Sequence, residues 1–166
     1  MRNHLVPSAR ARPLPAGTIN GELTLNGDSL TRQLDLANSA YVAAAENYHI
    51  YVGLKQVFAD GERAAYYWFL NFYDTEAAKQ GDNFWTASAS KQDMYDFVVE
   101  KTKSLYPKYT EIVRRTNVED MVTPPIKLKD LELDRIPEGR ITLLGDAVSC
   151  QNLMFDSRPL LMQELT

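Results

Sequence analysis

The sequence predicts an α+β fold, in which a mixed or antiparallel sheet carries helices on one of its faces. Three observations predict it: two apolar-rich segments flank a tight turn, a helical region follows them, and further short strands come after the helices. The 166 residues, 45% of them hydrophobic, are enough for one domain with its own core and too few for two large ones.

The first elements predicted after a lead-in rich in proline and arginine are a strand and a helix. Residues Thr18 to Leu25 alternate loosely between apolar and polar side chains, which indicates a strand. Asp28-Ser29 offers a helix cap, and the segment after it has helical periodicity as far as residue 45. The residues at helical spacing are Leu30, Leu34, Ala37 and Tyr41.

A hairpin is the clearest local prediction. The segment from Tyr48 to Phe58 alternates like a strand, and Asp60-Gly61 is the pair that best tolerates the positive φ angles of a tight turn. Glu62 to Tyr73 returns as the partner strand, with aromatic side chains on both of its faces. Burial on both sides suits a sheet with helices on one side and a ligand cavity on the other.

The region after the hairpin is predicted to be a loop from Asp74 to Ala89, followed by helices. Ser90 and Asp93 have the spacing of a capping box, which begins a helix. The apolar stripe of this helix consists of Met94, Phe97, Val98 and Leu105. Pro107 either starts a second helix or kinks the first.

Two short strands are predicted in the last third of the sequence. Pro124-Pro125 ends the helical region, and residues 126–133 (IKLKDLEL) form the first of these strands. A turn at residues 136–139 leads to the second strand, from Arg140 to Leu144.

Composition argues against several classes of function. The net charge of −4, with 18 basic residues scattered among 22 acidic ones, gives no basic surface for nucleic acid or an anionic membrane. No apolar run approaches the roughly 20 residues of a membrane span. The single cysteine, Cys150, favours a reducing, cytoplasmic compartment. Because the sequence has only two histidines, His4 and His49, in addition to this cysteine, a zinc site is not expected.

The segment from Pro137 to Val148 (PEGRITLLGDAV) carries the most specific pattern. A basic residue follows a glycine turn and precedes an apolar strand that ends in Gly145-Asp146-Ala147. A glycine lets the backbone approach a ligand closely, and an aspartate can accept hydrogen bonds from sugar hydroxyls. A strand that ends in Gly-Asp is also an ordinary structural turn. The whole pattern resembles the ribityl-binding turn of FAD-dependent monooxygenases of the p-hydroxybenzoate-hydroxylase-like family.

A second segment extends the resemblance to the beginning of the sequence. Residues 2–7 (RNHLVP) are similar to the tail of the family's second flavin motif, and the hairpin and helices lie between the two motifs, as in the family's substrate domain. The predicted domains are 1–17, a lead-in with the motif remnant; 18–136, an α+β substrate-binding-like domain; 137–148, the strand and turn of an FAD-binding domain; and 149–166, a divergent tail.

The resemblance implies FAD as the cofactor and a small organic substrate, hydroxylated or epoxidised with O2 and NAD(P)H, as in secondary metabolism. The implied FAD-binding residues are Gly145, Asp146, Ala147 and Arg2. In the family the aromatic sheet is the wall of the substrate cavity, although on composition alone its aromatic residues are mostly core. The candidate pocket residues are Tyr67, Phe69, Tyr51 and Trp68. No catalytic residue is identified.

The sequence also departs from the family pattern. It has no G-x-G-x-x-G fingerprint for the ADP half of FAD. Ser149 stands where the family has a histidine, and Asp156 and Arg158 stand where it has glycines, which suggests truncation or an altered coding frame. Three hypotheses result: a short flavin monooxygenase that needs a missing FAD-binding half, a non-redox module that binds a hydrophobic metabolite, or an inactive fragment.

Overall fold

The computed structural model describes Val6 and residues 10–131, which fall into two compact units. Pro15–Lys127 form the larger unit, and the described residues up to Leu14 and from Leu128 belong to the smaller one. In the smaller unit, strand β1 (Arg12–Pro13) pairs antiparallel with strand β6 (Lys129–Asp130). An ion pair of 3.2 Å between Arg12 and Asp130 joins the two strands.

A four-stranded antiparallel sheet is the centre of the larger unit. Its strands are β2 (Ala16–Asn26), β3 (Ala40–Ala45), β4 (Tyr48–Val57) and β5 (Arg63–Tyr73). Their spatial order is β2-β5-β4-β3, so the two long strands β2 and β5 are paired along their full length. The outer edge of β2 is partly covered by residues 121–122, through a bridge between Gly21 and Met121.

Four helices belong to the same unit, and three single 3-10 turns lie between or after them. The helices are α1 (Gly27–Leu36), α2 (Thr75–Gln80), α3 (Lys91–Lys101) and α4 (Pro107–Arg115). The 3-10 turns are Gly81–Asn83, Trp85–Ala87 and Val118–Asp120. The predicted capping box is confirmed: the Ser90 side chain accepts from the Asp93 N–H, and the Asp93 carboxylate accepts from the Ser90 N–H.

The helices pack on one face of the sheet, and the hydrophobic core lies between that face and the helices. The rings of Phe72 and Phe97 are 4.9 Å apart, and the indole Nε1 of Trp68 donates to Thr116 Oγ1 at 2.9 Å. The fully buried core side chains include Ile19, Ile50, Val52, Leu70, Met94, Val98, Ile112 and Val113. The predicted α+β class, with an antiparallel sheet and helices on one face, is confirmed.

The hairpin between β4 and β5 is also confirmed, with a longer loop than the Asp60-Gly61 pair alone. The Phe58 N–H donates to the Arg63 carbonyl at 3.0 Å, so four residues form the loop. Asp60 Oδ1 accepts from the backbone N–H groups of Glu62 and Arg63, and Gly61 has a φ of 70°. Glycine is preferred at this position because it has no Cβ to strain the backbone.

Three predicted elements differ from the structure. The helix predicted as far as residue 45 ends at Leu36, because residues 40–45 pair with β4, and tertiary pairing overrides the helical propensity of their alanines. The segment predicted as a loop, 74–89, contains α2, whose first turn is capped by Asp74, and two 3-10 turns. Within the predicted strand 126–133, only 129–130 are a strand among the residues the structure describes.

The predicted strand from Arg140 to Leu144 and the tail after it lie outside the described residues. Among the helices that are described, none is both long enough and apolar enough to cross a membrane.

Candidate functional site

The side of the sheet opposite the helices, which we call the distal face, carries a regular grid of aromatic and polar side chains. Cross-strand pairing places β2, β5 and β4 residues in three adjacent rungs. The rungs are Thr18, Asn71 and His49; Asn20, Phe69 and Tyr51; and Glu22, Tyr67 and Gly53. From the usual spacing of strands and residues, the grid covers roughly 10 by 14 Å, the size of a two- or three-ring molecule.

The first rung is a continuous hydrogen-bonded chain across the three strands. Thr18 Oγ1 donates to Asn71 Oδ1 at 2.8 Å, and Asn71 Nδ2 lies 3.0 Å from His49 Nε2. Because the amide nitrogen is a donor, His49 Nε2 is the acceptor, and the neutral ring carries its proton on Nδ1. Burial lowers the pKa of His49 from its usual value of 6.5, so the ring is neutral at pH 7.

An aromatic cluster occupies the rest of the grid. The ring centroids of Tyr51, Tyr67 and Phe69 lie 5.5–6.3 Å from one another, distances typical of favourable aromatic pairs. The two tyrosine hydroxyls are 3.4 Å apart, and this hydrogen bond raises the pKa of Tyr67. Gly53 provides the space for the Tyr67 ring, which lies across β4 at that residue.

Asn20 stands between these two parts, directly opposite Phe69. Asn20 is 7% exposed, and its side-chain Oδ1 has no hydrogen-bond partner among the described residues. Its backbone carbonyl accepts from the Val122 N–H at 3.0 Å, which fixes the strand from its outer side. The grid therefore contains one buried acceptor without a hydrogen-bond partner in the described part of the chain.

The one permanently charged residue of the grid is Glu22, at a corner, and it is paired with Lys55 from the adjoining part of β4. Lys55 Nζ lies 2.5 Å from Glu22 Oε2, and both side chains are about half exposed. All other grid side chains are neutral at pH 7, given the lowered pKa of His49. The arrangement suits a flat, uncharged organic molecule with hydrogen-bonding groups.

The sequence-predicted site residues are distributed unevenly. Tyr51, Tyr67 and Phe69 come together on the distal face. Trp68 does not join them, because alternate residues of a strand point to opposite faces. It lies fully buried on the helix side, bonded to Thr116, and is therefore a core residue. The predicted FAD-binding residues Arg2, Gly145, Asp146 and Ala147 lie outside the described residues.

Three grid residues, Thr18, Asn20 and Asn71, were not among the sequence predictions. Each is a polar residue in a strand whose side chain points to the distal face: Asn20 is paired with Phe69, and Asn71 is paired with Thr18 on one side and His49 on the other. Strand register is a property of the folded sheet, so the sequence alone left these side chains unplaced.

A separate cleft of about 430 Å³ lies on the helix side, between the β3–β4 turn and α3. Lys101 Nζ is 5.7 Å from the centre of the Tyr48 ring there, and the Tyr48 hydroxyl is 3.0 Å from Ser104 Oγ. These groups are mutually paired, so we take the distal face, rather than this cleft, as the candidate functional site.

The sequence has relatives of known description. No protein-family model matches it. The chain is 34% identical over 136 residues to the FAD-dependent monooxygenase thnD of Trichoderma harzianum. The match includes 81% of this chain and 33% of the relative, so the chain spans about one third of that protein's length.

The fold also resembles a solved structure. A crystal structure from Photorhabdus luminescens subsp. laumondii TTO1, of a protein assigned as an FAD-containing monooxygenase, matches with a TM-score of 0.64 at 16% sequence identity. The match covers 92% of this chain and 42% of that protein, and it shows a shared fold. By sequence similarity, supported by this fold, the chain belongs to the FAD-dependent monooxygenase family.

Proposed function

We propose that the distal face binds the organic substrate of an FAD-dependent monooxygenase, which hydroxylates or epoxidises an aromatic or polycyclic metabolite. The observation that carries the proposal is the aromatic cluster of Tyr51, Tyr67 and Phe69 beside a hydrogen-bonded polar rung, on a face of the sheet opposite the helices. A mostly apolar lining with a few fixed polar groups is typical of sites for small organic ligands.

FAD, when bound, supplies the electrons and the activation of oxygen. The grid residues fit the substrate side of such a site and not the pyrophosphate of FAD, since none of the nine is a permanent cation and the neighbouring Lys55 is paired with Glu22. By resemblance, we propose that Asp146 and its neighbours contact the ribityl chain, that NAD(P)H is the reductant, and that the reaction belongs to secondary metabolism.

The described residues would bind and orient the substrate. The rings of Phe69 and Tyr67 offer an apolar surface against which a flat molecule stacks. Contact with these rings excludes water from the face of the molecule that lies against them. The rung through Asn71 and His49 offers fixed hydrogen-bonding groups that set the orientation of the molecule along the sheet.

The test is an oxygenation assay with the purified chain, FAD and NADPH, and 2-naphthol as a probe substrate. We expect 2-naphthol to accelerate NADPH oxidation and to yield a product that carries one oxygen atom from 18O2. Phe69→Ala is expected to abolish the acceleration, and Thr24→Val, an exposed change on the same face, is expected to retain it. If FAD does not bind, or no labelled product forms, the monooxygenase proposal is wrong for this chain.

A second function, a non-redox module that binds a hydrophobic metabolite, is favoured by a different observation. The 166 residues contain no G-x-G-x-x-G segment to hold the ADP half of FAD. For this function we expect a naphthalene probe to bind while added FAD shows no fluorescence quenching and NADPH is not consumed.

We also propose a cytoplasmic location, on the basis of the single cysteine.

A further inference from the structure

The side chain of Asn20 is the starting point, because it is buried with an unused acceptor. Asn20 Oδ1 is fully inaccessible to solvent and has no hydrogen-bond partner within the described part of the chain. Buried polar atoms are almost always hydrogen-bonded, so each exception requires an explanation. Three such side-chain atoms occur among the described residues, Asn20 Oδ1, Gln33 Nε2 and Tyr66 Oη, and Asn20 Oδ1 is the one that belongs to the distal face. A ligand that donates a hydrogen bond to this oxygen is one such explanation, and because the oxygen is enclosed, that contact requires the Asn20 side chain to rotate toward the ligand.

The position of Asn20 supports a ligand contact. It lies opposite Phe69, the central aromatic residue of the grid, and next to Thr18 along the strand on the same face. A ring stacked on Phe69 would bring a substituent on its edge toward Asn20, since directly paired residues have Cβ atoms about 5 Å apart. The neighbouring amide, Asn71, is already bonded to both Thr18 and His49, so Asn20 is the amide left for a ligand.

The charges around Asn20 select against an anionic group. Glu22 is the next residue on the same strand and face, and its carboxylate pairs with Lys55 at 2.5 Å. A carboxylate placed on the grid would therefore approach one negative charge, and the nearby cation is already neutralised. A phenol hydroxyl can donate to Asn20 without bringing a net charge to the buried face.

We propose that Asn20 is a specificity-determining residue, whose Oδ1 accepts a hydrogen bond from a hydroxyl group on a neutral aromatic ligand. The inference rests on the proposed substrate role of the distal face. A site with a buried acceptor discriminates against analogues that lack the donor, because the acceptor then stays unpaired. We expect a preference of about 10- to 100-fold for the hydroxyl compound.

The test is isothermal titration calorimetry on the purified chain with three probes of the same ring system. They are 2-naphthol, which has the donor; 2-methoxynaphthalene, which lacks it; and 2-naphthoate, which is anionic. We expect 2-naphthol to bind about 10-fold or more tightly than either of the other two. Asn20→Leu, of similar size, is expected to weaken 2-naphthol alone and bring its Kd within about 2-fold of that of 2-methoxynaphthalene.

Two controls keep the result interpretable. Thr24→Val, on the same strand and face but exposed, is expected to keep the wild-type preference. Unchanged binding of 2-methoxynaphthalene to Asn20→Leu shows that this variant is folded, and a variant that binds neither probe is replaced by Asn20→Ala, for which the same loss of preference is expected.

Three results would overturn the inference. They are equal affinities of the wild type for the first two probes, a preference that survives in Asn20→Leu, and tightest binding of 2-naphthoate. Because no FAD or NADPH enters this titration, a failure of the oxygenation assay leaves the inference on Asn20 standing. Absence of binding by all three probes would contradict both this inference and the substrate role of the face.

Discussion

The ring of Tyr67 lies directly over Gly53: its Cζ atom is 2.5 Å from the position that a Cβ at residue 53 would take. No side chain larger than hydrogen fits at residue 53 unless the Tyr67 ring moves. The absence of a side chain at Gly53 is therefore what allows Tyr67 to lie flat across β4 and reach the hydroxyl of Tyr51.

We predict that Gly53→Ala weakens binding of a flat aromatic probe, because the added methyl group displaces the Tyr67 ring from the aromatic cluster. The expected loss is about 1 kcal/mol, close to the value of one aromatic pair. The measurement is the Kd of 2-methoxynaphthalene by calorimetry, with near-ultraviolet circular dichroism to follow the tyrosine environment.

Another glycine provides the control for this substitution. Gly61 lies in the β4–β5 turn with a φ of 70° and has open space around it. Gly61→Ala is expected to lower the free energy of unfolding by about 1 kcal/mol through backbone strain, and to leave probe affinity unchanged. If Gly53→Ala also leaves the affinity unchanged, Tyr67 does not contribute to the binding surface.

Parts of this architecture follow from sequence patterns, and others depend on pairing. The alternation in β5 already separates Tyr67 and Phe69 from Trp68, so a candidate pocket with all three was inconsistent with a strand. The capping box at Ser90 was predictable because its two determinants, Ser90 and Asp93, are only three residues apart in the sequence. The strand at residues 40–45 was not, because its alanines favour helix and only the β4 partner makes them a strand.

The buried hydrogen bond between Trp68 and Thr116 gives a stability prediction. Thr116→Val removes the acceptor of the Trp68 indole N–H, which is 2.9 Å away and enclosed in the core. An unpaired buried donor costs about 1–3 kcal/mol, so the free energy of unfolding should fall by that amount in urea denaturation.

Thr102 is a matched comparison. It is equally buried, and its hydroxyl donates only to the Val98 carbonyl, which already accepts the Thr102 backbone N–H. Thr102→Val therefore leaves no buried donor without a partner, and its expected effect is below about 1 kcal/mol. Equal effects of the two substitutions would show that the indole hydrogen bond is not important for stability.

Acid sensitivity is expected from Glu111, which joins α1 to α4. Its carboxylate accepts hydrogen bonds from Arg32 and from Arg115, and the bond from Arg32 is the main cause that lowers the pKa of Glu111 from 4.5 to about 2. A carboxyl group with a lowered pKa in the folded state stabilises the fold above pH 4.5. This contribution is lost as the pH falls from 4.5 toward 2.

We predict that Glu111→Gln removes this part of the pH dependence and lowers stability near neutral pH by about 1 kcal/mol, because the ion pairs are partly screened by solvent. The measurement is the urea midpoint between pH 7 and pH 3 for both proteins. Glu76→Gln should change the profile less, because Lys79, whose hydrogen bond lowers the pKa of Glu76, lies in the same exposed helix and solvent screens that pair. Parallel profiles for wild type and Glu111→Gln would contradict the prediction.

A second pH effect is expected at His49, at higher pH than that of Glu111. Burial lowers the pKa of His49 below 6.5, whereas in the unfolded chain the ring titrates near that value. The unfolded state therefore binds more protons as the pH falls below 6.5, and the fold loses stability in that range. Protonation of Nε2 would also place its N–H against the donor Nδ2 of Asn71, unless the amide turns over.

The direct measurement is the titration of the histidine ring signals by NMR. The chain has two histidines, and spectra of His4→Gln and His49→Gln assign the signals. We expect the His49 midpoint to lie below 6.5 and to move toward 6.5 in Asn71→Ala, where the rung is broken and water can reach the ring. A midpoint at or above 6.5 in the wild type would mean that the buried, neutral histidine of the distal face is not its state in solution.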